Sequence, residues 1–299
     1  MTANPLPPAD AVPILLPFPA ERATGGRACP ACGTDNRHAT PLPHSRGDWR
    51  LKSCRECSFV YLENAVGYSS LAEDYAWERT SRAEAEIRRE QQRWYRQVSR
   101  WLKAIKHAVR RGQPREIGLI RKYIPCGRLL DIGCGSARTY RLLEREYTLF
   151  GIEISVQLAE EAAEVCQVRN GYVIRDHALG GLSRFDAGFF DGVVMISYLE
   201  HETQPREVLN ESWRVLRSDG TLLVKVPNYA SLNRRVMGAR WCGYRFPDHV
   251  NYFTPTALSK MLQECGFVMR RFALRDRSPL SDNMWIIATK PRAACRKAA

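Results

Sequence analysis

The stretch GRLLDIGCGSAR, residues 127–138, joins two kinds of sequence in twelve positions. Leu129, Leu130 and Ile132 make a short apolar run of buried-strand length, with one acid, Asp131, inside it. Gly133 and Gly135 follow at once, and a helical pattern through about Arg145 comes next. Glycines at a strand-to-helix turn permit positive φ and let the backbone come close to a ligand. The start of a helix adds free N–H groups and a partial positive charge. Arg138 stands where a dinucleotide fingerprint wants a third glycine. The next strand ends in Glu153, about 20 residues on, where an acid can accept from both hydroxyls of a ribose. Strand, Asp-x-Gly-x-Gly, helix, strand and Glu together predict a nucleoside-bearing ligand rather than a bare glycine turn.

Outward from that turn, strands and helices alternate. YTLFGIEI reads as a strand, and Ser155 caps a helix over VQLAEEAAEVC. GYVI and FDGVVMIS read as strands. Pro205 opens the helix PREVLNESWRVLR, and SDG leads into the strand TLLVKVP. The helix PTALSKMLQECGF and two strands near 267–275 and 284–290 follow. This order predicts an α/β fold with a mostly parallel sheet.

These motifs resemble the class I S-adenosylmethionine (SAM)-dependent methyltransferases. LLDIGCGSAR, GIEIS, FDGVVMISYLEH, LRSDGTLLVKVPN and HVNYFTPTALSKMLQECGF stand in that family's order and spacing, over residues 128 to about 290. They look most like the small-molecule branch that includes ubiquinone-type O-methyltransferases. The resemblance implies a Rossmann-like, seven-stranded sheet with one antiparallel strand near its end. It implies that Gly133, Cys134 and Gly135 line the methionine moiety of SAM, with Asp131 near its ammonium. Glu153 would hold the ribose, Ile154 would flank the adenine, and Ser197 would lie near the methyl donor. The family often has an acid after the third strand that reads the adenine. By register from Leu182 that position falls at Ala178, with Asp176 out of register, so no acid is expected there.

Four cysteines form a separate signal. CPACG at 29–33 and CREC at 54–57 give two C-x2-C pairs 21 residues apart. Each pair can grip a metal ion from a tight turn, and Cys29, Cys32, Cys54 and Cys57 together offer a tetrahedral S4 shell. A closed thiolate shell is a structural zinc site, not a catalytic one. Ser58 stands where a second knuckle glycine is common. The expectation is a zinc ribbon over 29–62, preceded by a disordered Pro-rich tail at 1–28. No export signal is recognisable, which points to reduced thiols and a cytoplasmic chain. A zinc module ahead of a SAM domain also resembles, in layout, sugar C-methyltransferases of deoxysugar pathways.

Lys and Arg number 45 against 32 Asp and Glu. Most of the excess lies between Arg79 and Arg128, with 15 basic residues and four acidic ones. Residues 63–125 read as a basic helical linker with an apolar stripe through Trp94, Val98 and Trp101. Such a surface fits RNA, or a basic mouth for an anionic small molecule or glycan intermediate, or a merely solvated face. No apolar run reaches membrane-spanning length. The oligomeric state is not legible.

The SAM-binding domain is expected over 126–299, with a lid inserted at about 228–254. Two histidines fall near the reacting methyl by motif. His201 ends YLEH after the fourth strand. His249 sits in RFPDHVNYFTP, where Asp248 could orient it. Both are candidate bases, since imidazole titrates near neutrality. Tyr198, Arg240, Trp241, Arg245 and Tyr252 are candidates to line the acceptor pocket.

Overall fold

The structure, a computed structural model, describes residues 26–67, 114–124 and 126–292. Most of the Pro-rich tail and the basic helices with their tryptophan stripe lie outside the described residues.

Two sheets share the described chain. The larger is built from β3 (Gly127–Ile132), β4 (Tyr147–Glu153), β5 (Val173–Arg175), β6 (Phe190–Ile196), β7 (Leu216–Pro227), β9 (Val268–Arg271) and β10 (Asn283–Thr289). Its spatial order is β5-β4-β3-β6-β7-β10-β9. β3 to β7 run parallel, and β10 lies antiparallel to both neighbours. This is the seven-stranded α/β sheet expected from the motifs. The central strands carry continuous apolar runs because helices cover both faces: Leu129, Leu130, Val193, Val194, Leu222, Leu223 and Val224 are all buried. Each such side chain contributes about 1.5–3 kcal/mol by leaving water.

Helix ends follow their sequence signals. Ser155 Oγ accepts from Leu158 N–H at the start of α2 (Val156–Gln167). Pro205 opens α4 (Pro205–Val215), whose Val208, Leu209, Ser212 and Val215 face the core. Thr254 accepts from Ala257 N–H at the start of α6 (Pro255–Glu264). Two short helices lie between these: α3 (Ala178–Leu182) and α5 (Leu232–Met237). The helix α1 (Arg115–Tyr123) falls inside the expected linker, yet it packs on the sheet. Ile117 and Ile120 are fully buried, and Arg115 pairs with Asp276 at 2.5 Å. The methyltransferase body therefore begins before residue 126.

One expected helix is absent among the described residues. After the glycine turn the chain forms only a five-residue 3₁₀ segment, Arg138–Leu142. Ala137 is left-handed, with φ 52°, so helical geometry starts only at 138. Tyr140 is then drawn inward by a hydrogen bond to Asp131, and Leu143 is already extended. The turn at 133–137 therefore offers the cavity its backbone rather than the start of an α-helix.

The smaller sheet joins β1 (Leu51–Ser53), β2 (Val60–Leu62) and β8 (Asn251–Tyr252) in that order. The first two strands lie in the span expected for the ribbon. The third comes from the expected lid, about 190 residues later in sequence. The ribbon also starts earlier than residue 29, since Arg27 N–H donates to Glu63 O at 2.9 Å.

Candidate functional site

A cavity of about 460 Å³ opens at the carboxyl ends of β3, β4 and β6. Asp131, Gly133, Cys134, Gly135, Glu153, Ile154, Ser197, Tyr198 and His201 all line it. All seven residues assigned to the cofactor by motif thus meet in one place.

The glycines have separate physical reasons. Gly133 has φ 70°, and a Cβ there would sit 2.5 Å from the Tyr198 ring. Gly135 has φ 52° with no atom within 4 Å of a Cβ position, so that space is open to a ligand. Glu153 locks the turn by accepting from Gly135 N–H at 2.8 Å and from Ser155 N–H at 3.0 Å. The Cys134 side chain turns away into the core, toward Gly151, so only its backbone serves the cavity edge.

Asp131 is buried and accepts from the Tyr140 hydroxyl at 2.7 Å. Its other oxygen, Oδ1, has no hydrogen-bond partner. Burial, with the nearby Glu153 charge, pushes its carboxyl up to about 8. A buried orphan acceptor of this kind costs free energy until a cation meets it. An ammonium-bearing, positively charged ligand such as SAM fits that need.

Asp176 and His177 also line the cavity, which the register from Leu182 missed. Pairing of Glu153 with Arg175 shows that β5 ends one residue before Asp176. Counting from the strand end would have found it. The Asp176 carboxylate is tied to His177 N–H at 2.8 Å and to the His177 ring at 2.7 Å.

The residues after β6 are differently held. Ser197, at φ 56°, accepts from Lys225 Nζ at 2.5 Å. His201 donates from Nδ1 to the Asp248 carbonyl at 2.9 Å, because a carbonyl oxygen can only accept. Its Nε2 is therefore the acceptor nitrogen. Burial, reinforced by Arg245 and Lys225, pushes this imidazole down to about 4, so it is neutral at pH 7. The ring of His249 stands behind it, 4.8 Å away and nearly perpendicular. His249 is buried and is oriented by the Gly243 carbonyl at 2.8 Å. The Asp248 carboxylate pairs with Arg245 at 2.9 Å. Glu200 completes the group. One ligand-type atom from each of Glu200, His201 and His249 lies within 4.8 Å of the others. Burial pushes the Glu200 carboxyl up to about 7.

Of the expected acceptor residues, only Tyr198 lines the cavity, and its hydroxyl is bonded to Glu202. Trp241 and Tyr252 are buried in an aromatic cluster with Tyr229 and Tyr244, packed on Leu51 and Val60 of the ribbon. Trp241 Nε1 donates to Asp282. Arg240 is exposed. The 228–254 segment is in large part a packing surface for the ribbon, with a cis peptide at Phe246–Pro247.

Cys29, Cys32, Cys54 and Cys57 bring their sulfurs within 4.8 Å of one another, with Cys29 and Cys57 at 3.6 Å and Cys32 and Cys54 at 3.5 Å. Four ligands at about 2.3 Å from a central ion would stand at such separations. Two matched knuckles aim them: Gly33 N–H donates to Cys29 O, and Ser58 N–H to Cys54 O. Gly33 and Ser58 are both left-handed, so the serine occupies the glycine conformation.

A family of methyltransferase domains matches residues 86–271. An uncharacterized protein of Methanocaldococcus jannaschii is 27% identical over 152 residues, covering 51% of this chain and 70% of that protein. A ubiquinone biosynthesis O-methyltransferase of Psychrobacter arcticus is 24% identical over 181 residues, covering 57% and 68%. A solved SAM-dependent methyltransferase of Archaeoglobus fulgidus covers 63% of this chain and 99% of its own, with 21% identity and a TM-score of 0.47. With the sheet order, the glycine turn and the family match in agreement, the chain belongs to the methyltransferase-domain family and is a SAM-dependent methyltransferase.

Proposed function

We propose that the chain methylates a small-molecule or saccharide-intermediate acceptor, releasing S-adenosylhomocysteine, and that His201 is the base. One observation carries the reading: a neutral imidazole with an acceptor nitrogen lines the SAM cavity beside Ser197 and Tyr198. The relatives named as ubiquinone biosynthesis O-methyltransferases support an acceptor of that size.

When bound, SAM supplies an electrophilic methyl on a sulfonium. Asp131 would meet its ammonium and Glu153 its ribose hydroxyls. The backbone of 133–135 leaves room for the methionine chain. His201 Nε2 would take the proton of an acceptor hydroxyl as the methyl is transferred. Asp248 O holds the opposite nitrogen, which fixes the tautomer. Glu200, in its ionised form, would favour the imidazolium that results. His249 orders this arrangement from behind. The four cysteines would hold a structural zinc ion, since a closed thiolate shell leaves no position for substrate.

The test uses purified enzyme, SAM labelled in its methyl, and extract from the host, with and without ribonuclease. Label in small solutes or glycans is expected. Label in ribonuclease-sensitive polymer would replace this reading with RNA methylation.

A further inference from the structure

We infer that Arg27 is a positioning residue that ties the cysteine ribbon to the catalytic face. The inference rests on the reading of His201 and His249 as that face, but its evidence and its test do not require turnover.

Arg27 lies two residues before Cys29 and is half-buried. Its guanidinium spans three segments far apart in sequence. Nε donates to Leu62 O at 2.8 Å, at the end of ribbon strand β2. Nη1 donates to Thr203 O at 2.9 Å, just past His201. Nη2 donates to Val250 O at 2.6 Å and to Asn251 Oδ1 at 3.1 Å, just past His249. A planar five-donor fork can serve such a set of acceptors, and a lysine cannot.

The acceptors it gathers are themselves linked. Asn251 Nδ2 donates to Leu199 O at 2.9 Å and to Glu202 O at 2.5 Å. The amides of Val250 and Asn251 both donate to Glu200 O, at 2.8 and 3.0 Å. Leu62 N–H returns to Val250 O at 2.9 Å, and Tyr61 pairs with Asn251 across β2 and β8. Phe59, two residues past Cys57, packs edge-on against Phe253 at 5.2 Å. The knuckles therefore fix β2, β2 fixes β8, and β8 with Arg27 fixes both histidine-bearing loops. None of these bonds touches the glycine turn or Glu153. The ribbon thus governs the acceptor half of the cavity and leaves the SAM half alone.

The test compares Arg27→Ala with the unaltered protein by hydrogen exchange and by binding of S-adenosylhomocysteine. Backbone exchange at Leu62, Val250 and Asn251 should rise roughly tenfold or more, since several bonds from a charged donor are lost. Exchange across β3 to β6, and affinity for S-adenosylhomocysteine, should stay within about twofold. Methylguanidinium should restore protection at Val250 and Asn251, and methylammonium should not. Unchanged exchange at those two amides in a folded variant would overturn the inference. So would a rise spread evenly over the whole sheet, which would make Arg27 a general stabiliser only. If Arg27→Ala does not fold, Arg27→Lys serves: a rise confined to the same amides is expected, and none would refute it. Methyl-transfer results do not enter any of these outcomes. A failed base assignment therefore leaves them readable.

Discussion

The two halves of the cavity are built on different scales. The SAM half is local. Asp131, Gly133, Gly135 and Glu153 lie within 23 positions on two adjacent strands, and their hydrogen bonds close over short spans. The proposed acceptor side rests on the segment after β6, which the ribbon and the loop before β8 hold from outside the cavity by bonds reaching from Arg27 to Asn251, 224 positions away. A local half can be read as a motif and should tolerate damage elsewhere. A distributed half should respond to perturbations far from the chemistry.

The largest test of that contrast is at the histidines. His201→Ala should lower turnover by about 10²–10⁴, the usual range for a lost general base, while affinity for S-adenosylhomocysteine holds. His249→Ala should cost less, because its ring lies behind His201 rather than on the cavity. Equal losses at both would mean that they act as one unit. Turnover that falls on chelation and returns with added magnesium, the ribbon still loaded, would replace the proton role of Glu200, His201 and His249 with a bound cation.

Next in size is the SAM half itself. Glu153→Gln keeps the shape but loses the charge that accepts from Gly135 and Ser155. Affinity for S-adenosylhomocysteine, by calorimetry, should fall roughly tenfold to a hundredfold. The midpoint of the ribbon's unfolding should not move. A shift there would show that the two halves are not separable.

Cys54→Ser opens the thiolate shell from the other side. The purified protein should lose bound zinc, and thermal unfolding should fall by roughly 10 °C, while S-adenosylhomocysteine still binds. Wild-type metal content with no zinc would remove the structural-metal reading.

How much was legible follows the same division. The sheet, the glycine turn and Glu153 were readable because strand, turn and acid are set by neighbours in sequence. The four cysteines were readable because each knuckle is a six-residue turn. Asp176 was missed only through the choice of register: the strand end, rather than Leu182, is the physical ruler. The helix through Arg145 is cut to a 3₁₀ turn because Ala137 is left-handed and Leu143 extended, and the sequence marks neither break. Trp241 and Tyr252 read as pocket residues because aromatics in a polar insertion resemble a binding surface. Only the ribbon strands Leu51–Ser53 and Val60–Leu62 reveal that they have a core to pack on. Nothing near Arg27 in sequence hints at Val250.

The last test concerns pH and belongs to Asp131. Its carboxyl is raised from 3.8 to about 8 in the folded protein. A group raised on folding contributes stability that is fully present below its unfolded value and is lost as pH rises through the folded one. Unfolding of the ligand-free protein should therefore become easier between about pH 4 and pH 8. Glu200, raised from 4.5 to about 7, acts in the same direction on the acceptor side. Asp131→Asn should flatten the upper part of that slope, leaving the part due to Glu200. The ammonium of S-adenosylhomocysteine favours charged Asp131, so the thermal shift on adding it should be larger at pH 8 than at pH 5. In Asp131→Asn the two shifts should be equal and small. A slope unchanged by Asp131→Asn would place the titrating group elsewhere and leave the SAM half without its anionic anchor.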